Sequence, residues 1–285
     1  MRTVNRNTLI GTILYAAKIS RYVKVGFGIV VFFCALALVS FIYMPYNPLI
    51  TVGPDFAPPS LKFLFGTTNI GQDVFSQWMY GARSTLLVGF LAATISVIIG
   101  LSVGLVAGYV KRADNPLMRL TDVVLTLPAL PLLITISAFV RPSVFTVALL
   151  IALLAWGGKA RVVRSMTISL KESPSVEVSR MSGVPSRKIL FSDILRHTLP
   201  IILTYSLFTI IGAILTAAGL DFIGVGPVTS YSWGAVISLA NSSGAIFSGA
   251  WWWFVVPGLS IAVLATGFAL IAYGLETAFK ATGVV

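Results

Sequence analysis

The chain is 285 residues long, 57% hydrophobic and 10% charged, with a formal net charge of +11. Soluble domains carry about 25% charged residues, so a water-soluble globular fold is excluded. The basic residues flank apolar runs and no long polar domain carries them, which excludes a nucleic-acid surface as the origin of the charge.

Residues 1–24 hold Arg2, Arg6, Lys18, Arg21 and Lys24. The apolar run at 25–46 exceeds the roughly 7–15 residues of a signal-peptide core, and no small-x-small cleavage site follows it. An uncleaved transmembrane helix is therefore expected. Cys34, the single cysteine, lies inside this run and is expected to be a small buried or lipid-facing residue. Segment 47–84 carries Pro48, Pro54, Pro58, Pro59, Gly66 and Gly71 and predicts a loop, ending in an amphipathic stretch from Val74 to Tyr80. A helix needs about 20 mainly apolar residues to cross a bilayer. Further spans are predicted on that basis at 86–110, 121–140, 143–157, 199–220 and 251–275, six in all with the first. Gly100, Gly104 and Gly108 recur every four residues in the second span and predict close packing against another helix, of this chain or of a partner. The fourth span is short and is expected to continue past Gly158 and Lys159. Segment 221–250 is rich in Gly and Ser and predicts a loop with at most short helices. Trp251 to Trp253 are expected at the membrane interface.

Eight basic residues fall between Lys159 and Arg196. If the N-terminus is cytosolic, segments 1–24, 111–120, 158–198 and 276–285 face inward and hold 17 of the 20 Lys and Arg. Lys62, Arg83 and Arg141 remain outside. The positive-inside rule thus predicts both termini in the cytosol.

No ionisable residue sits in the middle of a predicted span. Asp122 and Glu276 are at span ends, and Asp221 lies just past the fifth. Proton relays and voltage sensors keep such residues at depth, so both are disfavoured, while sodium coupling through backbone carbonyls stays open. No phosphate-binding loop, HExxH, CxxC or G-x-S-x-G motif is present, and His197 has no partner histidine. The expectation is a non-enzymatic pathway, without metal or cofactor of its own, energised by another subunit.

In the basic segment, Ser173-Pro174 predicts an N-cap with proline at the first helical position. Gly183 predicts a left-handed C-cap and Pro185 a change of direction. The helix between them is about nine residues, or roughly 13 Å. Val176, Val178 and Met181 make it partly apolar, while Glu177 and Arg180 are charged. Composition alone fits a helix on an anionic lipid surface as well as one that docks a protein.

Glu177-Val178-Ser179, Gly183 and Leu199-Pro200 resemble the loop signature of type I ABC importer permeases: Glu-Ala-Ala, three residues, Gly, then Ile-x-Leu-Pro. Val178 and Ser179 replace the alanines, and the stretch from Gly183 to Pro200 is longer by about one helical turn. Gly66-Thr67-Thr68-Asn69-Ile70-Gly71-Gln72-Asp73, with Tyr80-Gly81-Ala82-Arg83, is similar to a block in dipeptide/oligopeptide/nickel permeases, from which Thr68, Gln72 and Gln77 depart. Asp122 with Pro128, and Trp156, Ala160-Arg161, Arg164 and Leu170-Lys171-Glu172, continue the resemblance. So do Ala218-Gly219-Leu220-Asp221-Phe222-Ile223-Gly224-Val225-Gly226, Trp233-Gly234, Trp251-Trp252, Pro257-Gly258 and Gly274-Leu275. It covers about residues 60–280.

The resemblance implies an all-α polytopic permease fold in a cell membrane. Residues 1–60 would form a tail, the first helix and the start of an outer loop. Residues 61–280 would form the five-helix core with the cytosolic loop 158–198, and 281–285 a short tail. It implies a second homologous permease, two ATPase subunits that hold ATP and Mg, and an extracytoplasmic substrate-binding protein, besides the lipid bilayer itself. Ser175, Glu177, Val178, Ser179, Arg180, Gly183 and Pro185 would couple to the ATPases. Pro128, Pro131, Asp221, Gly224 and Gly226 would belong to the translocation path or its gate, with Gly234 beside them in the outer loop. The implied cargo is peptide, with oligosaccharide and nickel as alternatives. A stand-alone secondary transporter or channel, and a membrane scaffold with a basic loop, are the rival readings.

Overall fold

The computed structural model describes residues 20–140, 143–227 and 231–282. It is helical, with two isolated β-bridges (Thr51 with Gln72, Thr67 with Asp73) as the only β-structure among the described residues. In chain order the helices are α1 (Arg21–Ile42), α2 (Val74–Tyr109), α3 (Lys111–Thr126), α4 (Ala129–Phe139), α5 (Val144–Ala155), α6 (Gly157–Lys171), α7 (Pro174–Met181), α8 (Ser186–Phe222), α9 (Trp233–Ser242) and α10 (Trp252–Thr282). Four of them, α1, α2, α8 and α10, are long and apolar enough to cross a membrane alone. The bent pairs α3–α4 and α5–α6 raise the number to six if each pair is one span. The chain is a multi-pass membrane protein.

The long central helix α2 has 36 residues, about 54 Å at 1.5 Å per residue, well beyond a hydrocarbon core of about 30 Å. It begins at Val74 and not at 86, so the amphipathic stretch predicted in the loop is its first two turns. Asp73 caps this start, its carboxylate accepting from the Ser76 backbone N–H at 2.8 Å and from the Ser76 hydroxyl at 2.6 Å. Hydropathy hid the start because Gln77 and Ser84 are polar, yet both are buried here. The Gln77 amide donates to Gln72 Oε1 at 2.7 Å, and that of Gln72 donates to the Leu49 carbonyl at 3.0 Å, which ties the preceding loop to the helix.

The glycine stripe of α2 packs within the chain. A Cβ on Gly104 would sit 2.5 Å from Val163 Cβ, one on Gly108 2.5 Å from Thr167 Cβ, and one on Gly100 2.8 Å from Lys159 Cβ. The stripe is the seat of α6, so the option of a partner's helix at these glycines is removed. A similar close approach joins α1 to α10, where a Cβ on Gly26 would meet the Gly267 carbonyl at 2.5 Å.

The third predicted span, 121–140, is divided between two helices: α3 and α4 meet at 85°. Leu127, ahead of Pro128, takes an extended conformation (φ −68°, ψ 131°), as residues before proline prefer, and Pro128 then stands as the N-cap of α4. Charged along its length, α3 lies against α6. Arg164 donates to Asp114 from Nη2 at 2.6 Å and from Nε, and Arg161 donates to Asp122 at 2.6 Å. The fourth span does continue past Gly158 and Lys159, as α6, after a 44° bend at Trp156. Segment 221–250 contains the short helix α9, whose Trp233 is fully buried and donates from Nε1 to the Trp78 carbonyl at 2.9 Å. Of Trp251–Trp253, expected at the membrane interface, Trp251 alone is exposed. Trp252 and Trp253 are buried beneath the 51–72 loop, the former donating to the Thr67 carbonyl at 3.3 Å.

Candidate functional site

Two features stand out on this scaffold, a short helix at one end and a groove along one side. The short helix, α7, has eight residues with Pro174 at its start. Ser173 occupies the N-cap position, but its hydroxyl makes no capping bond and instead donates back to the Leu170 carbonyl at 2.6 Å, joining α6 to α7. At the other end, Gly183 N–H bonds the Arg180 carbonyl at 3.0 Å and Val184 N–H bonds the Ser179 carbonyl at 3.1 Å. These two bonds, with Gly183 at φ 76°, make a Schellman motif. Pro185 then caps the first turn of α8.

One side chain anchors α7. Val176 is buried with Leu105 of α2, Val163 of α6, and Ile189, Ile194 and Ile202 of α8. Ser179 donates weakly to Asp193 Oδ2 at 3.4 Å. The opposite face is open: Ser175, Glu177 and Arg180 are exposed, and so are the apolar Val178 (63%) and Met181 (83%), which are neighbours at i, i+3. Phe191, at the foot of α8, is also 63% exposed. That foot, Ile189–Ile194, is a π-helical turn. Such turns depart from the α-helical bonding pattern, and side chains bond several carbonyls in and beside this one. His197 Nδ1 donates to the Asp193 carbonyl at 2.6 Å, and the Thr198 hydroxyl to those of Leu195 and Ile194 at 2.9 and 3.2 Å.

The groove, about 580 Å³, runs between α4, α5, α6 and α8, with Leu133, Ile151, Leu154, Lys159, Phe208 and Thr216 among its walls. Val162, Tyr205 and Phe208 also line a second cavity of about 530 Å³ that reaches Glu276 and Lys280 on α10. Pro128 and Pro131 are exposed at the start of α4, on either side of the groove-lining Ala129. Asp221, Gly224 and Gly226 lie elsewhere, at the far end of α8. There the Asp221 carboxylate is buried and accepts from the Ser232 hydroxyl, the N-cap of α9. A Cβ on Gly226 would run into Asp221 Oδ1, and one on Gly234 would come within 3.0 Å of Asp221 Cβ. Gly224, at φ 85°, ends α8 with a second Schellman motif, its N–H on the Asp221 carbonyl at 3.0 Å and that of Val225 on the Leu220 carbonyl at 3.0 Å. The five candidate gate residues therefore fall into two groups, one beside the groove and one in a closed loop at the opposite end of α8 from α7.

Lys159 was missed as a groove residue. It belongs to a basic cluster that reads as cytosolic, yet it is 4% exposed and its ammonium donates to the Ala155 carbonyl at 2.6 Å. The signal available in the sequence was its place next to Gly158, at the end of an apolar run. No cluster of three or more potential metal ligands occurs among the described residues.

Residues 96–281 match the family described as binding-protein-dependent transport system inner membrane component. The chain is 36% identical over 222 residues to the dipeptide transport system permease protein DppC of Alkalihalophilus pseudofirmus, covering 77% of this chain and 72% of that protein. Two Brucella suis proteins are each 34% identical. One, named as a peptide transport system permease protein, matches over 222 residues (78% of this chain, 74% of the relative), and the other, named as a peptide permease protein, over 242 residues (84% and 80%). Matched over most of its length, the chain belongs to the binding-protein-dependent transport system inner membrane component family.

Proposed function

We propose that this chain is one of two permease halves of an ATP-driven peptide importer, with both termini in the cytosol, and that α7 is where its ATPase partner docks. The observation that carries the reading is the construction of α7. One face is held by Val176 to three different helices, while the other presents Val178, Met181, Glu177 and Arg180 to solvent. A displacement applied to that open face passes through the Val176 cluster into α2, α6 and α8 together. The Schellman end at Gly183 and the adjoining Pro185 keep the connection to α8 stiff. Ser175 and Ser179 flank the lever on its docking and anchored sides. ATP and Mg belong to the ATPase subunits; this chain supplies the lever and half of the conduit. Peptide is the cargo favoured by the relatives' names, ahead of oligosaccharide or nickel.

The test is reconstitution in proteoliposomes with the second permease, the ATPase subunits and the binding protein. Peptide uptake is expected to require ATP hydrolysis. Replacing Val178 and Met181 together by Glu is expected to strip the ATPase from the purified complex while the chain still inserts. Uptake driven by an ion gradient with no ATPase present would favour a secondary transporter. Undiminished ATPase recovery in the double variant would return α7 to the lipid-surface reading.

A further inference from the structure

Lys159 has a burial that its own contacts do not explain. An ammonium offers three N–H donors, and one of them is occupied here, by the Ala155 carbonyl at 2.6 Å. No carboxylate pairs with it among the described residues; the ion pairs there are Arg161–Asp122, Arg164–Asp114 and Lys280–Glu276. The residue is nonetheless 4% exposed and lines the groove beside Leu154, Ile151 and Phe208. Removing an unpaired ammonium from water is costly, and an anion that meets it with good hydrogen-bond geometry offsets part of that cost. Apolar walls strengthen that attraction by lowering the local dielectric. Lys159 lies roughly 22 Å along the α5–α6 path from Val144, toward the end that carries α7. The groove volume of about 580 Å³ falls in the range of small-ligand pockets.

We infer that Lys159 is a specificity residue of the conduit, its ammonium receiving a carboxylate of the cargo at the α7 end of the groove. This rests on the reading of the chain as a peptide permease and adds to it a preference by charge. A peptide with a free C-terminal carboxylate is held there, a peptide amide is not, and a cationic terminus is repelled. The Ala155 carbonyl holds the ammonium in position at the α5–α6 bend, leaving its other two donors for the anion.

The experiment compares ATP-driven uptake of trialanine and trialanine amide by the reconstituted complex with one and the same binding protein, for wild type, Lys159→Met and Lys159→Arg. Hydrogen bonds to charged groups are strong enough that losing one changes a rate by roughly tenfold or more. Wild type is expected to favour the acid. Lys159→Met is expected to lower the acid-to-amide ratio roughly tenfold, toward one, and Lys159→Arg to restore most of it. A lysine that only braces the α5–α6 bend lowers uptake of both probes in proportion and leaves the ratio unchanged, which overturns the inference. So does a wild-type ratio already near one. If the wild-type complex takes up neither probe with ATP, the peptide-permease reading itself fails, and that outcome is visible before any variant is measured.

Discussion

Gly183 and Gly104 show how one residue type carries two different constraints. A Cβ added to Gly183 meets no atom within 4 Å, so space is not the restriction. The backbone is, because φ is 76° and an L-residue in the left-handed region costs about 1–2 kcal/mol, less for asparagine. Gly104 is the reverse case. Its backbone is ordinary helix, but a Cβ would lie 2.7 Å from the Ala160 carbonyl as well as against Val163. Gly183 was legible in the sequence because a glycine followed by proline after a short amphipathic run is a local signal. The helix that Gly104 faces was not, since nothing local distinguishes a cis neighbour from a partner's helix. The expected order of ATP-driven uptake at position 183 is therefore glycine, then Gly183→Asn, then Gly183→Val, with all three chains inserted in the membrane. Equal uptake by the valine variant would mean that the Schellman turn does not transmit force. An equal deficit in the asparagine and valine variants would point to contact with the ATPase surface instead of backbone strain.

Among the elements, the apolar runs behind α1, α8 and α10 were plain from hydropathy, although α8 begins at Ser186 and not at 199, its first turns being polar and charged. The α3–α4 pair was not. Pro128 announced an interruption, but an 85° turn also requires α3 to be held down, and the residues that hold it lie far away in sequence. Asp114 and Arg164 are 50 residues apart, and Asp122 and Arg161 are 39. Such pairs are invisible to any local pattern. The start of α2 was hidden for a related reason, since the buried Gln77 and the preceding Gln72 donate to the loop carbonyls of Pro48 and Leu49, partners that no local pattern announces. The two ion pairs differ in environment. The Arg164 and Asp114 side chains are 34% and 22% exposed and share two hydrogen bonds, whereas Arg161 and Asp122 are 54% and 56% exposed and share one. Exposed pairs contribute about 0.2–1 kcal/mol, and the forked, half-buried pair belongs at the top of that range. Double-mutant cycles on thermal unfolding in detergent are expected to give a coupling near 1 kcal/mol for Asp114 with Arg164, and a smaller, salt-sensitive one for Asp122 with Arg161. Couplings indistinguishable from zero for both pairs would mean that α3 is seated by packing alone.

At the scale of the whole molecule, α8 joins the two ends of the protein. Its 37 residues span about 55 Å, from the turn beside α7 to the sealed Asp221–Ser232 loop. On the proposed reading, the orientation of this rod decides whether α7 faces the side of the ATPase or that of the binding protein. The charge distribution argues one way, because the segments that join the helices on the α7 side carry most of the Lys and Arg, and chains insert with such segments in the cytosol. Cys34 is the single cysteine, so Cys34→Ala provides a parent for placing one thiol at a time. Leu61, in the 47–73 loop, and Met181, on α7, are both exposed and suit the purpose. In intact spheroplasts, a membrane-impermeant maleimide is expected to label Leu61→Cys at once and Met181→Cys only after permeabilisation. The opposite pattern would put α7 outside and remove the ATPase from reach. Labelling of both without permeabilisation would mean that an even number of crossings separates Leu61 from Met181, so that one of the two bent pairs turns back within the bilayer.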